Sequence, residues 1–367
     1  MSTPSATSTT SAPTPVTAVG ADRRPAVEPL GPDSLTWKYF GDIRTGMMGM
    51  WIGAIENMYP GLGAGVEDHS SLWREPLQRV FRSVYPIMGV VYDGDRAGRT
   101  GAMIRDWHRD IKGVDSAGRR YHALDPATFY WAHATFFMMV IKLADYFGGG
   151  LTEAQKHQLF DEHVQWYAQY GMSMRPVPDS WEGFCEYWDR VCADELEYTK
   201  AADGILNMRI PKPWFVLVPD AVWGQLFKPM LSAQRWIATG LFEPVVREKA
   251  GLQWNDGDEI LFRLFGKAVQ IMFAFVPDEV RLHPRALAGY RREHSREQGK
   301  PVDEDAPLVE APWFTGPPKD RRDNGMHYVP PGASPARALL ERAGSLVHGT
   351  FSLAGGLAGG LGRARVA

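Results

Sequence analysis

The chain has 367 residues, 44% of them apolar and 23% charged, which is enough to bury one sizeable core. Its 40 basic and 43 acidic residues are scattered, leave a formal charge of -3 and form no basic stripe for phosphate contacts, which argues against a nucleic-acid partner. Thirteen Trp and fifteen Met suit a pocket for an apolar ligand as well as they suit a Trp-rich core.

Residues 1–30 are rich in Ser, Thr, Pro and Ala and lack the apolar run of a secretory signal, so they are expected to be disordered. Leu35 to Asn57 carries apolar residues on most faces and reads as one buried helix stopped at Tyr59-Pro60. The glycines of Gly61 to Val66 lack the strand and helix of a phosphate loop and point to close backbone packing. Helical spacing resumes from Ser71 to Val91, and after the turn at Asp93-Gly94-Asp95 a further helix is expected over Arg96 to Lys112. Val114 to Ala123 fits a small hairpin.

Asp125-Pro126 is an N-cap followed by a first-turn proline, and the helix it opens is expected to run to Phe147, closed by Gly148 to Gly150. Thr152 to Gln155 matches a capping box for a helix ending near Gly171. Asp179 or Ser180 caps another through about Lys200, and helices follow over Asp220 to Thr239, Glu243 to Lys249, Asp256 to Phe275 and Pro284 to Glu293. The fold class is mainly α: one large helical domain over 31–294. Residues 295–367 form a Pro-rich and charged, then Gly-rich tail, with a short periodic stretch at Ala336 to Ala343. The seven glycines of Gly344 to Gly362 argue against a spanning helix but leave contact with a membrane surface open. A cytoplasmic location follows, and Cys185 and Cys192, seven apart in one expected helix, read as reduced, buried thiols.

No nucleophile elbow, His-Glu-x-x-His, P-loop or kinase set is present, which disfavours hydrolase and phosphotransferase chemistry. Three histidines lie in helical segments: His108, His133 and His163. The helix around His133 is apolar on nearly all sides, so His133 is expected to be buried and to need partners for both ring nitrogens. A hydrogen-bonded core histidine and an iron ligand both meet that need. Haem asks for an apolar slot and one axial imidazole, whereas zinc or non-haem iron asks for three or four protein ligands. Arg44, Arg99, Arg105 and Arg109 lie near these helices in sequence, as propionate partners or as ordinary helix ion pairs.

The order of segments resembles the domain shared by rubber oxygenase (latex clearing protein) and the fungal oxygenase MpaB. Gly41-Asp-Ile-Arg44 is similar to its Gly-Asp-x-Arg, and Gly65-Val-Glu-Asp-His-Ser70 to its Gly-Val and Asp-His-Ser. His108 to Gly113 resembles His-x-x-Val-x-Gly, Tyr121 to Pro126 resembles Tyr-x-Ala-Leu-Asp-Pro, and Trp131-Ala-His-Ala-Thr135 resembles Trp-Val-His-Ala-Thr. A weaker terminal pattern extends over Pro213 to Glu293, so that the resemblance covers Leu35 to Glu293. It implies a helical fold with a globin-like core and additional helices, haem b held by one histidine, and dioxygen-dependent cleavage of isoprenoid double bonds.

Carried over by position, the resemblance implies that His133 is the iron ligand, with His108 as second candidate for the axial place or a catalytic role. Arg99 would assist bound oxygen or hold a propionate, and Arg44, Arg105 and Trp131 would line the cofactor site. Two departures stand out. Tyr59-Pro60 replaces the family's His-Pro, and Ala102 and Met103 replace the lysine and threonine on the distal side of the haem in latex clearing protein. The substrate class implied is therefore a small apolar or isoprenoid-like molecule rather than rubber, and a non-catalytic haem or apolar-ligand binding protein of the same fold is the alternative.

Overall fold

A computed structural model describes residues 27–302 apart from 71, 74, 75 and 213–216, together with all side chains in that range except 77, 78, 81 and 82. The stretches at 1–26 and 303–367, including the Ala336 to Ala343 and Gly344 to Gly362 segments, and the start of the Pro213 pattern lie outside the described residues. The described residues form a mainly α fold whose sole strand pair, β1 (Lys112–Val114) and β2 (Arg120–His122), is the antiparallel hairpin expected between Val114 and Ala123. None of its helices is long and apolar enough to cross a membrane.

The single helix expected over Leu35 to Asn57 is three pieces: α1 (Leu35–Phe40), a 3-10 turn (Ile43–Met48) and α2 (Gly49–Asn57). The break is tertiary in origin. The Tyr92 hydroxyl accepts the Gly41 N–H at 2.6 Å and donates to the Trp37 carbonyl at 2.8 Å, while the Asp42 carboxylate accepts from Arg44 N. Pro60 does not merely stop a helix; it is the first residue of α3 (Pro60–His69), so the glycine-rich loop expected there is helical. The close packing expected of those glycines is real. A Cβ on Gly63 would lie 2.6 Å from the Asn57 carbonyl oxygen, and one on Gly65 3.3 Å from Ile111.

Helix α4 (Pro76–Tyr92) leads through a 3-10 turn (Gly94–Arg96) into α5 (Ala97–Trp107), which stops five residues short of the expected end. Helix α6 (Pro126–Lys142) starts as its sequence requires, the Asp125 carboxylate accepting from Ala127 N at 3.0 Å and Thr128 N at 3.1 Å. It continues as a π turn (Leu143–Phe147) before Gly149 and Gly150, whose φ of 98° and 94° close it. Helix α7 (Glu153–Ala168) has the predicted capping box between Thr152 and Gln155. The helix expected from Ser180 to Lys200 is instead α8 (Trp181–Arg190), a π turn (Val191–Glu195) and a separate α9 (Lys200–Leu206) capped by Thr199. Cys185 and Cys192 are both free, the second buried and the first half-buried.

The remainder is α10 (Asp220–Leu241), α11 (Pro244–Lys249), α12 (Asp256–Phe273), a short α13 (Asp278–Arg281) and α14 (Pro284–Glu297), so regular structure persists past residue 294. Helix α6 is central. Twelve of its seventeen residues are buried, because neighbours pack on nearly every face. The buried Glu162 carboxylate on α7 accepts from Leu35 N, Thr36 N and the Thr36 hydroxyl, which pins the start of α1. Asp93 holds Arg285 through Nε at 2.9 Å and Nη2 at 2.5 Å, locking α14 against the α4–α5 corner.

Candidate functional site

Tyr130, His133 and Phe137 share one face of α6, at the three- and four-residue spacing of a helix, and that face meets α7. His133 is 2% exposed. Four rings surround it: His163 stacked at 4.7 Å and 20°, Trp166 edge-on at 4.7 Å, Tyr167 at 5.1 Å and Tyr170 at 5.6 Å between centroids. Neither ring nitrogen of His133 makes a hydrogen bond of good geometry, but the His163 backbone acts on the ring as a hydrogen-bond partner and opposes the effect of burial. Burial pushes its pKa down to about 3, so the ring is neutral at physiological pH. The expected burial is therefore observed, but the expected pair of polar partners is not.

His163 is fully buried beside it. The Tyr130 hydroxyl and His163 Nε2 lie 3.0 Å apart, and His163 Nδ1 has no partner. Burial, with His133 adding to it, holds the His163 pKa well below the usual histidine range.

His108 occupies different ground. It is the C-cap of α5, and its Nδ1 lies 2.8 Å from the Ile104 carbonyl. A carbonyl only accepts, so Nδ1 carries the proton and Nε2 keeps its lone pair. His108 is half-buried, so part of its surface stays open. Burial lowers its pKa, the Ile104 hydrogen bond opposes this, and the positive charge of Arg79 adds to the lowering. Glu56 on α2 shares the same electrostatic neighbourhood. It too is deeply placed but partly accessible; burial raises its pKa to about 7, and the same Arg79 opposes that rise. Arg79 on α4 thus acts electrostatically both on Glu56 of α2 and on His108 at the end of α5.

Phe129 and Tyr170 connect the two histidine environments. Phe129 meets His108 edge-on at 6.1 Å and Tyr170 at 5.3 Å, and Tyr170 in turn packs on His133. Arg105 braces this link by donating from Nη1 to the Tyr170 carbonyl at 3.2 Å, while Nε and Nη2 bind Asp106. A Cβ on Gly101 would overlap the Gln169 carbonyl oxygen, so α5 touches the end of α7 backbone to backbone.

The other sequence candidates scatter. Arg44 is buried away from these rings, bidentate to Asp42 and donating to the Phe147 carbonyl at 2.7 Å, with Arg281 on the same carboxylate. Arg99 is exposed on α5. Trp131 lies two residues, about 200° of helix rotation, from His133 and so faces another way; it stacks on Trp188 at 4.9 Å and on Tyr59 at 6.2 Å. Tyr59, the departure from the family pattern, is thus a wall residue whose pKa burial and the Glu195 charge raise to about 12. Asp68 accepts from the Tyr121 hydroxyl at 2.5 Å and His69 Nε2 lies 3.3 Å from the Lys112 carbonyl, so both tie α3 to the hairpin.

Glu56 and Arg79 are the site residues that sequence reasoning missed. A lone carboxylate in the apolar run Met50 to Met58 is a usable signal for Glu56. Arg79 offers none, since it stands among other charged residues of its segment.

A histidine that binds iron donates its second nitrogen to a carbonyl, which fixes the tautomer and aims the free lone pair. His108 has such a contact with Ile104 and keeps part of its surface open, whereas His133 has the His163 backbone as partner and is enclosed by packed rings. Among the described residues no three His, Cys, Asp or Glu side chains converge as a site for a bare metal ion.

A family model described as the catalytic domain of ER-bound oxygenase mpaB/B'/rubber oxygenase matches residues 37–271. Neither curated proteins nor solved structures give a match. The matched range takes in α1 to α12 almost whole, and with them every residue of the His108 and His133 environments.

Proposed function

Because the chain belongs to the mpaB/rubber oxygenase catalytic-domain family, we propose that it is a haem b-dependent oxygenase that acts with dioxygen on a small apolar, isoprenoid-like substrate. The observation that carries the cofactor reading is the Nδ1 contact of His108 with the Ile104 carbonyl, which leaves Nε2 as a neutral, oriented donor on a half-buried ring. His108 is thereby preferred to His133 as the iron ligand. Bound there, haem would supply the activation of dioxygen.

The chain's own residues then have separate tasks. Ile104 orients His108 through its carbonyl. Phe129 gives His108 an apolar wall. Glu56, with a pKa near 7, accepts or returns a proton at its carboxylate at working pH, and the positive charge of Arg79 lowers the cost of its ionised form. His133 fills the core behind this wall.

The test is an absorption spectrum of the protein expressed with haem supply, repeated for His108→Ala and His133→Ala. A Soret band in the wild type that is lost in the first variant and kept in the second is the expected result. Absence of the band after reconstitution removes the haem reading, and its loss only in His133→Ala returns the ligand to His133. The alternative of binding without catalysis draws on Tyr59, which is packed into a wall where relatives carry histidine. Oxygen uptake by the haem-loaded protein with isoprenoid substrates separates the two.

A further inference from the structure

We propose that Tyr130 and His163 form a proton-coupled redox site, in which Tyr130 is oxidised by one electron while its phenolic proton passes to His163 Nε2. The buried Tyr130 hydroxyl lies 3.0 Å from His163 Nε2 and has no other hydrogen-bond partner among the described residues. The direction of that bond follows from counting unmet groups. With Tyr130 as donor, one group is left over, the N–H at His163 Nδ1. With Nε2 as donor, both the hydroxyl hydrogen and the Nδ1 lone pair would be left over, at greater cost in a dry core.

A tyrosine oxidised without losing its proton becomes a strongly acidic radical cation, so a phenol seated on a neutral imidazole is much easier to oxidise than one facing hydrocarbon. Burial beside His133 disfavours the His163 imidazolium, but the phenol radical cation is so much stronger an acid that the proton still moves to the neutral ring. The balance is simple. The Tyr130 O–H bond breaks, an N–H bond forms at His163 Nε2, and one electron leaves the ring for the oxidant, giving a neutral tyrosyl radical and an imidazolium.

A path for that electron is built in. Tyr130 packs edge-on to Tyr167 at 5.2 Å, Tyr167 lies 6.3 Å from Phe129, and Phe129 meets His108 at 6.1 Å, so rings in contact run from the redox pair to His108. On the far side Tyr130 packs on Tyr187 at 5.1 Å, and Tyr187 carries the Arg190 guanidinium at 5.5 Å, towards the surface. The role in turnover rests on the haem reading: a one-electron oxidant arising at a haem held by His108 would be reduced by Tyr130 rather than by random side chains. The pair itself does not depend on that reading.

Two experiments test it. Haem-loaded protein is mixed with hydrogen peroxide, freeze-quenched and examined by electron paramagnetic resonance; separately, the chain without haem is oxidised by photogenerated ruthenium(III) tris(bipyridine). In both, a tyrosyl radical is expected whose high-field spectrum shows a hydrogen-bonded oxygen, with at least a several-fold lower yield in Tyr130→Phe and in His163→Leu. A radical in the photochemical arm without haem binding keeps the pair while removing the haem reading. An unchanged radical in Tyr130→Phe, or a wild-type radical with no hydrogen bond to its oxygen, overturns the proposal; should either variant fail to fold, the wild-type high-field spectrum still decides.

Discussion

His133 and Glu56 are two buried or deeply placed ionisable groups with opposite consequences for stability. The unfolded chain protonates His133 below its ordinary value of 6.5, whereas the fold holds it neutral down to about 3. The stability tied to His133 is therefore complete above pH 6.5 and is lost as pH falls from there towards 3. Glu56 runs the other way: its carboxyl is favoured neutral in the fold, so stability is complete below about 4.5 and is lost as pH rises towards 7. Thermal melts of the haem-free chain across pH are expected to show a shallower acid limb in His133→Leu, the remainder belonging to His163 and His108, and to lose the 4.5-to-7 decline in Glu56→Gln. An unchanged decline in Glu56→Gln would assign it to another group. His133→Leu also removes a buried polar ring that is poorly satisfied, a desolvation cost of about 1–3 kcal/mol, so the variant is expected to match or exceed the wild type near neutrality in urea unfolding.

At the scale of elements, the site depends on where helices begin and how near they come. Asp125→Ala deletes the acceptor of two N–H groups at the start of α6, and a loss of about 1 kcal/mol is expected by chemical denaturation. Gly101→Ala places a methyl group against the Gln169 carbonyl and pushes α5 from the end of α7. A loss of about 1–3 kcal/mol is expected in urea unfolding. The two π turns, after α6 and after α8, each re-aim the chain following a central helix, and Phe147 and Val191 within them are buried core residues. Their sequences, Leu-Ala-Asp-Tyr-Phe and Val-Cys-Ala-Asp-Glu, carry ordinary helix-forming residues, so nothing local distinguishes them from the α-helix that was expected.

Across the whole molecule, the last helix closes back on the first half through charged contacts. Arg285 spans Asp93 and the Tyr85 carbonyl, Asp93 also accepts from the Thr100 hydroxyl at 2.6 Å, and Asp42 serves both Arg44 and Arg281. Asp93 and Arg285 are nearly enclosed, so removing one partner leaves a buried charge. Asp93→Ala is expected to cost about 3–5 kcal/mol in urea unfolding; a loss below 1 kcal/mol would mean that Arg285 finds water or another carboxylate.

What the sequence determined by itself was local or ordered along the chain: the Asp125-Pro126 start, the Thr152 capping box, the hairpin and the family segments from Gly41 to Thr135. Caps and turns satisfy backbone groups within a few residues, and segment order survives without geometry, so both are legible in one dimension. The choice among histidines was not. His108 and His133 each stand in a helix that suits a core or a ligand role, and their surroundings, the rings of α7 stacked on His133 and the Ile104 carbonyl against a half-buried His108, exist only in the folded chain. Arg79 influences the charge of Glu56, more than twenty residues away in the chain, an effect that exists only once the chain is folded.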